Sequence, residues 1–203
     1  MDETAERQSV VYTVGHSNHT LVVFLDLLQR YAIDVLVDTR SRPHSTYVPH
    51  FNHDMLKPAI AGAGLRFVFL GGELGGRPEG AEYYDEKGHV RYDRVAQRAD
   101  FLQGVAKLEK GAVSHKIAMF CSEENPAKCH RRLLIGRVMI ERGTQILHIR
   151  GDGSLQTEAE LEAAEADENE SGQQALFDVE EGRAWKSTQS VLRKRPPGNS
   201  LRR

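Results

Sequence analysis

A three-layer α/β domain built on a mostly parallel, five-stranded sheet is the fold class this 203-residue sequence predicts, and two patterns carry that expectation. Short, continuously apolar runs such as Val35-Leu36-Val37 and Ile117-Ala118-Met119-Phe120 alternate with longer helical patterns. A strand covered on both faces loses the apolar–polar alternation of a strand with one wet face, and strands alternating with helices mark parallel crossover units. The length allows one full core and leaves little for a second. The chain therefore divides into an extension over 1–9, one α/β domain over 10–150, and a charged, partly helical and partly disordered C-terminal tail over 151–203.

Val10-Val11-Tyr12-Thr13-Val14 is β-branched and aromatic and stops at Gly15, as a first strand does. A helical pattern follows from Thr20 through Leu21, Phe24, Leu25 and Leu28. Val35-Leu36-Val37 is the second strand, leading through the loop Asp38-Thr39-Arg40-Ser41-Arg42-Pro43 to a helix over about 54–63 that Gly62 or Gly64 closes. Phe67-Val68-Phe69-Leu70 is the third, and a Gly-rich loop from Gly71 leads to a helix over 93–110. The fourth and fifth strands, 117–120 and 145–149, flank a helix over 126–142. Asn125 is its N-cap, Pro126 its first residue and Gly143 its stop. Cys129 is then expected in the first turns of that helix, where the dipole and adjacent cations lower a thiol pKa.

A net charge of −2 and a pI near 6.5 exclude whole-protein attraction to nucleic acid or membranes, although local patches can differ from the mean. The polar, acidic N-terminus shows no secretory signal, and no apolar run is long enough to span a bilayer, so the expected location is the cytoplasm with both cysteines reduced. Residues 158–181 hold ten carboxylates and no Lys or Arg, whereas 183–203 is basic and carries Pro196-Pro197-Gly198.

In open parallel sheets, ligands sit outside the carboxyl ends of the strands, and the polar clusters of this chain fall there. The candidate catalytic residues are His16, Asp38, Cys121, Glu123 and His130. The candidate substrate-binding residues are Ser17, Asn18, Arg40, Ser41, Gly76, Arg77, Cys129 and Arg131. Arg40, Arg77 and Arg131 would orient anionic groups, His16 or His130 would act as acid–base, and Glu123 or Asp38 would set the imidazole tautomer. Each has a purely structural alternative. His16 can bond a backbone carbonyl, Asp38 and Arg40 can pair to fix their loop, Gly76 can serve the turn alone, and Cys121 is either a nucleophile or a buried wall. Eight positions separate the cysteines and no Cys-x-x-Cys pair exists, so the spacing argues against zinc, and no cofactor is expected.

Taken together, Thr13-Val14-Gly15-His16-Ser17-Asn18, Leu36-Val37-Asp38-Thr39-Arg40-Ser41-Arg42-Pro43, Phe51-Asn52, Glu73-Leu74-Gly75-Gly76-Arg77, Cys121-Ser122-Glu123 and Cys129-His130-Arg131 resemble the domain of unknown function 488 family over roughly residues 10–150. Thr39 stands where family members commonly carry Val. The resemblance implies a single Rossmann-like α/β domain and a shared residue set, and it implies no reaction.

Within the acidic tail, Gln173, Leu176 and Phe177 form a Gln-x-x-Leu-Phe pattern similar to the peptide by which bacterial DNA-processing proteins dock on the sliding clamp. Gln174 replaces the usual Leu, and the alternative is that Leu176 and Phe177 fold back on the domain. The leading expectation is an enzyme of hydrolase or transferase class acting on an anionic nucleotide or nucleic-acid-derived substrate. A non-catalytic nucleotide or DNA-associated module docking through its tail, and a thiol redox protein using Cys121 and Cys129, are the alternatives.

Overall fold

The computed structural model describes residues 9–171 and 185–191. Six strands form one sheet: β1 (Val10–Gly15), β2 (Val35–Asp38), β3 (Arg66–Phe69), β4 (Ile117–Cys121), β5 (Gln145–Ile149) and β6 (Leu155–Thr157), in the order β3-β2-β4-β1-β5-β6. The first five pair in parallel and β6 runs antiparallel to β5. The strand count is thus six rather than five. The sixth escapes sequence reading because it is a three-residue edge strand with one apolar side chain, reached through a tight turn in which Arg150 N–H donates to the Ser154 carbonyl at 2.9 Å.

The central strands are apolar throughout because both of their faces are covered. Val35 and Val37 of β2, with Ile117 and Met119 of β4, pack in a cluster with Phe101, Val105 and Leu108 of α5 (Ala99–Ala112) and with Val138 and Met139 of α6 (Arg137–Glu141). The alternate residues Leu36, Ala118 and Phe120 face a second cluster. It holds Phe24, Leu27 and Leu28 of α1 (Leu21–Arg30) and Leu56 and Ile60 of α2 (His53–Gly62). Thr20 caps α1 by accepting from Val23 N–H at 3.3 Å, as its hydroxyl at that position suggests. Among the described residues, no helix is long and apolar enough to cross a membrane.

Two expected helices are broken. The 93–110 pattern divides into a single turn, α4 (Tyr92–Val95), and α5, in whose first turn the Asp100 carboxylate accepts from Phe101 N–H and from the Arg98 guanidinium. A further turn, α3 (Gly71–Leu74), lies ahead of them. The 126–142 pattern becomes a 3-10 turn (Pro126–Lys128), a π-helical stretch (Arg131–Gly136) and α6. Asn125 does cap, but it caps the 3-10 turn, accepting from Ala127 N–H at 2.9 Å. Cys129 lies between the two pieces in extended conformation, with φ −119° and ψ 140°, and its carbonyl accepts from Arg132 N–H at 3.1 Å and Leu133 N–H at 3.0 Å, so it caps the N-terminus of the coil that begins at His130.

Beyond residue 150 the chain continues to build on the domain. α7 (Glu158–Ser171) buries Leu161, and its Glu158 accepts from His148 Nε2–H at 2.8 Å and from Arg132 Nε at 2.8 Å. Farther on, Trp185 donates from its indole N–H to the Leu133 carbonyl at 2.7 Å, and Ser187 bridges Val90 through both its amide and its hydroxyl. The candidate clamp peptide over 173–177 lies outside the described residues. Removing Glu158 strips one partner each from Arg132 and the fully buried His148, so Glu158→Ala is expected to cost about 3 kcal/mol, the lower end for a broken buried pair. Glu158→Gln, which keeps an acceptor, should cost less. Urea unfolding followed by Trp185 fluorescence and by far-UV circular dichroism checks this, and coincident transitions are expected if this region belongs to the same cooperative unit.

Candidate functional site

The loops after β1 and β4 meet because those strands are neighbours whose ladder runs on past their ends. Gly15 stands opposite Cys121, then His16 N–H donates to the Cys121 carbonyl and Ser17 N–H to the Ser122 carbonyl, each at 2.9 Å. Any Cβ at Gly15 would overlap the Glu123 carbonyl, so this approach requires glycine. The chain leaves β1 toward α1 and β4 toward α6, whose side chains lie in different clusters. Loops that part toward opposite faces open a ligand crevice at the carboxyl edge.

At this edge two thiols and one imidazole converge. The Nδ1 of His130 lies 3.6 Å from Cys121 Sγ and 3.8 Å from Cys129 Sγ. Its Nε2 lies 3.0 Å from the Thr39 carbonyl, which can only accept, so Nε2 carries a proton and Nδ1 is the ring nitrogen that faces the sulfurs. The side chains are nearly enclosed, with Cys121 7% exposed, Cys129 2% and His130 9%. The pair favours a single thiolate. Burial raises the Cys129 pKa, but a hydrogen bond from Cys121, the Arg131 charge and His130 together bring it well below the ordinary value. Cys121, donating that bond and also desolvated, is pushed up. Buried Tyr92 has its pKa raised by desolvation and then by negative charge on both cysteines, which puts its phenol beside the cluster. The eight positions that separate the cysteines in sequence do not separate them in space, since the donor atoms of Cys121, Cys129 and His130 all lie within 4.8 Å of one another.

The three arginines expected to bind anions are placed in different ways. Arg40 is buried against Asp38, with Nε to Oδ1 at 2.9 Å and Nη2 to Oδ2 at 2.7 Å, and it also donates to the Phe51 carbonyl and lies over the Phe120 ring at 4.4 Å. Arg131 is fully buried, donating to the Glu123 and Glu124 carbonyls and, at 3.3 Å, to Thr13 Oγ1. Arg77 is exposed, and among the described residues only its backbone N–H is engaged, donating to Ser41 Oγ at 2.9 Å. Arg42 is exposed as well. Both lie near enough to the half-buried Tyr84 for their charges to lower its pKa against the larger raising effect of burial. Gly76 packs on the imidazole: a Cβ there would lie 2.6 Å from His130 Cγ, so the close approach its missing side chain permits is to the protein's own ring.

Neither expected carboxylate sets an imidazole tautomer. Asp38 is taken by Arg40, Glu123 is exposed, and backbone carbonyls do the work, Thr39 for His130 and Ser17 for His16 at 2.7 Å. His16 stacks on Phe51, with ring centroids 4.4 Å apart, and its Nε2 faces Arg40 Nη1 at 3.4 Å. Burial lowers its pKa to about 4, and the Arg40 charge acts in the same direction, so it is neutral at physiological pH. Ser17 adopts the left-handed region at φ 45°, and its hydroxyl reaches only Asn18 Oδ1 at 3.4 Å.

Sequence reasoning does not single out a buried polar chain behind the site. Arg131 Nε donates to Thr13 Oγ1, that hydroxyl donates to His148 Nδ1 at 2.7 Å, and His148 passes to Glu158 and Arg132. The available signal was a lone Thr and a lone His within apolar strands, where a buried polar group needs a partner. A concavity of about 600 Å³ lies beside the β5–β6 turn, away from the thiols. Its charged groups are turned on each other, with Arg150 forked onto Glu124 at 2.8 Å and Glu160 on Thr157.

A family model described as Domain of unknown function DUF488 matches residues 20–138. The match takes in Asp38, Arg40, Gly76, Cys121, Cys129 and His130 and begins after His16, Ser17 and Asn18. No curated protein and no solved structure matches the chain.

Because His16 binds a proton near pH 4 when folded and near its ordinary 6.5 when unfolded, the unfolded chain holds more protons between these values and stability rises with pH across that window. At about 1.4 kcal/mol per pH unit, roughly 3 kcal/mol is expected to be lost between pH 7 and pH 4 through this group. His16→Phe keeps a ring on Phe51 and removes the titration. The difference between wild-type and variant urea profiles over that range should show the slope.

Proposed function

Because the chain belongs to the DUF488 family, whose description carries no reaction, we propose from the site geometry that it is an enzyme of hydrolase or transferase class. Its substrate is an anionic nucleotide or a nucleic-acid-derived group, bound at the carboxyl edge of a three-layer, Rossmann-like sheet. The observation that carries this reading is the His130 Nδ1 held 3.6 and 3.8 Å from two nearly enclosed sulfurs at the strand ends. A titratable imidazole beside two buried thiols suits acid–base or nucleophilic chemistry, because a core packs equally well without it.

Binding falls to the exposed cations. Arg42 and Arg77 sit on the two loops that enclose His130: Thr39 of the first accepts from the imidazole, and Gly76 of the second lies against it. Two exposed guanidiniums with an adjacent tyrosine ring, Tyr84, suit phosphate oxygens carried on a stacking base. Arg40 and Arg131 instead hold the loops in register, and neutral His16 forms the apolar wall with Phe51.

A thermal-shift screen with nucleotides, nucleosides, sugar phosphates and short oligonucleotides tests the proposal. A ligand at about 100 times its Kd should stabilise by roughly 2.7 kcal/mol. The Arg42→Ala/Arg77→Ala double variant should lose that shift while melting, without ligand, close to wild type, since both side chains are exposed. A wild type that responds to no phosphate-bearing compound would remove the nucleotide reading.

The proximity of the sulfurs favours one second reading, a redox role in which Cys121 and Cys129 form a disulfide and deliver two electrons and two protons to a disulfide or peroxide acceptor. Thiol titration of the denatured chain after mild diamide treatment should fall from two thiols to none at unchanged monomer mass. Persistence of two thiols would exclude it.

A further inference from the structure

We propose that Cys121, Cys129 and His130 form a three-ligand zinc site whose fourth position is open to water or to a substrate oxygen. The inference rests on reading this cluster as the reacting centre and adds the ion that it would hold.

Four independent features converge on it. A tetrahedral Zn²⁺ with Zn–S near 2.3 Å and Zn–N near 2.0–2.1 Å sets its sulfur and nitrogen ligands about 3.5 Å apart. The sulfur-to-Nδ1 separations here are 3.6 and 3.8 Å and all three donor atoms lie within 4.8 Å of one another, so small side-chain rotations suffice to seat the ion. The nitrogen aimed at the sulfurs is Nδ1, and the opposite Nε2–H is held by the Thr39 carbonyl at 3.0 Å. That is the outer hydrogen bond by which metal-binding imidazoles are fixed. The donors come from rigid supports, with Cys121 ending the central strand β4 and Gly76 packed on the His130 ring, so little ordering remains to be done on binding. The donor chemistry is selective as well: two thiolates with one imidazole suit Zn²⁺ and disfavour Mg²⁺ and Ca²⁺, which take oxygen. Entry of the ion releases the remaining thiol protons to solvent and involves no change of oxidation state.

Three protein ligands instead of four are what a catalytic zinc site needs, because the vacant corner is where water or substrate binds. No fourth Cys, His, Asp or Glu joins the cluster among the described residues.

The test uses the full chain, purified without chelator or immobilised-metal resin from zinc-supplemented cultures. About one zinc per chain is expected by elemental mass spectrometry, with loss of the metal in Cys121→Ser and His130→Gln. The two cysteines of the cluster are the only ones in the chain, so adding Co²⁺ to the chelator-treated protein gives a direct reading of this site. An intense thiolate-to-cobalt band in the near ultraviolet with tetrahedral ligand-field bands in the red is expected. Wild-type protein whose two thiols titrate as reduced, and which takes up neither Zn²⁺ nor Co²⁺, overturns the site, whether or not the variants fold. Zinc uptake without any nucleotide-induced thermal shift would leave this site standing and remove the substrate reading. A thermal shift in protein that binds no metal would do the reverse.

Discussion

A guanidinium with no exposure to solvent, Arg131, is the constraint around which the site is organised. A charge taken out of water has to be matched by hydrogen bonds and by neighbouring charge, or it unfolds the region that holds it. Its hydrogen bonds go to neutral oxygens, the Glu123 and Glu124 carbonyls and the Thr13 hydroxyl. Negative charge is therefore favoured nearby, and Arg131 acts to lower the pKa of both cysteines, although the bond to Cys129 and burial leave that of Cys121 raised. The residue that pins the β4 loop to β1 is thus also the residue that makes an anionic thiol cluster tolerable in an enclosed place.

The same loop is held from its other side. Glu124 forks onto Arg150 and accepts from Gly151 N–H at 3.0 Å, which ties the turn after β4 to the turn after β5. Behind them, Thr13, His148 and Glu158 carry hydrogen bonds from Arg131 to α7, where Arg132 reaches both Glu158 and Glu165. The two arginines open a π-helical stretch and take different partners, Arg131 the β4 loop and Thr13, Arg132 the carboxylates of α7.

Burial divides the arginines into two kinds. Arg40 and Arg131 have spent their donors on Asp38 and on carbonyls, so they position backbone and leave no fork for a ligand. Arg42 and Arg77 remain on the surface with their guanidiniums unpaired among the described residues, and a mobile exposed cation is the kind that closes on an incoming anion. In the proposed reading chemistry and binding are thereby separated, with sulfur and imidazole buried and cations exposed. Gly76 joins the two levels by giving up a side chain where the imidazole comes closest.

Much of this was determined by sequence alone. Short apolar runs alternating with helical patterns made β1 to β5 and their parallel sense legible, the exposed edge strand β3 included, and with them the gathering of His16, Asp38, Cys121 and His130 at one edge. The edge strand β6 was not legible, since three residues with one apolar side chain carry no periodic signal, and neither was the break at Cys129, since the Asn125-Pro126 start fits one continuous helix equally well. Only the tertiary structure decided which partner each polar group takes. Asp38 could face a histidine or an arginine, Arg40 a ligand or a carboxylate, and Cys121 and Cys129 could lie apart or together; sequence spacing measures distance along the chain, whereas hydrogen bonds and metal sites depend on distance through space. The parallel pairing of β1 with β4 and the buried charge of Arg131 bring the sulfurs and the imidazole together, and neither is a local property of the residues concerned.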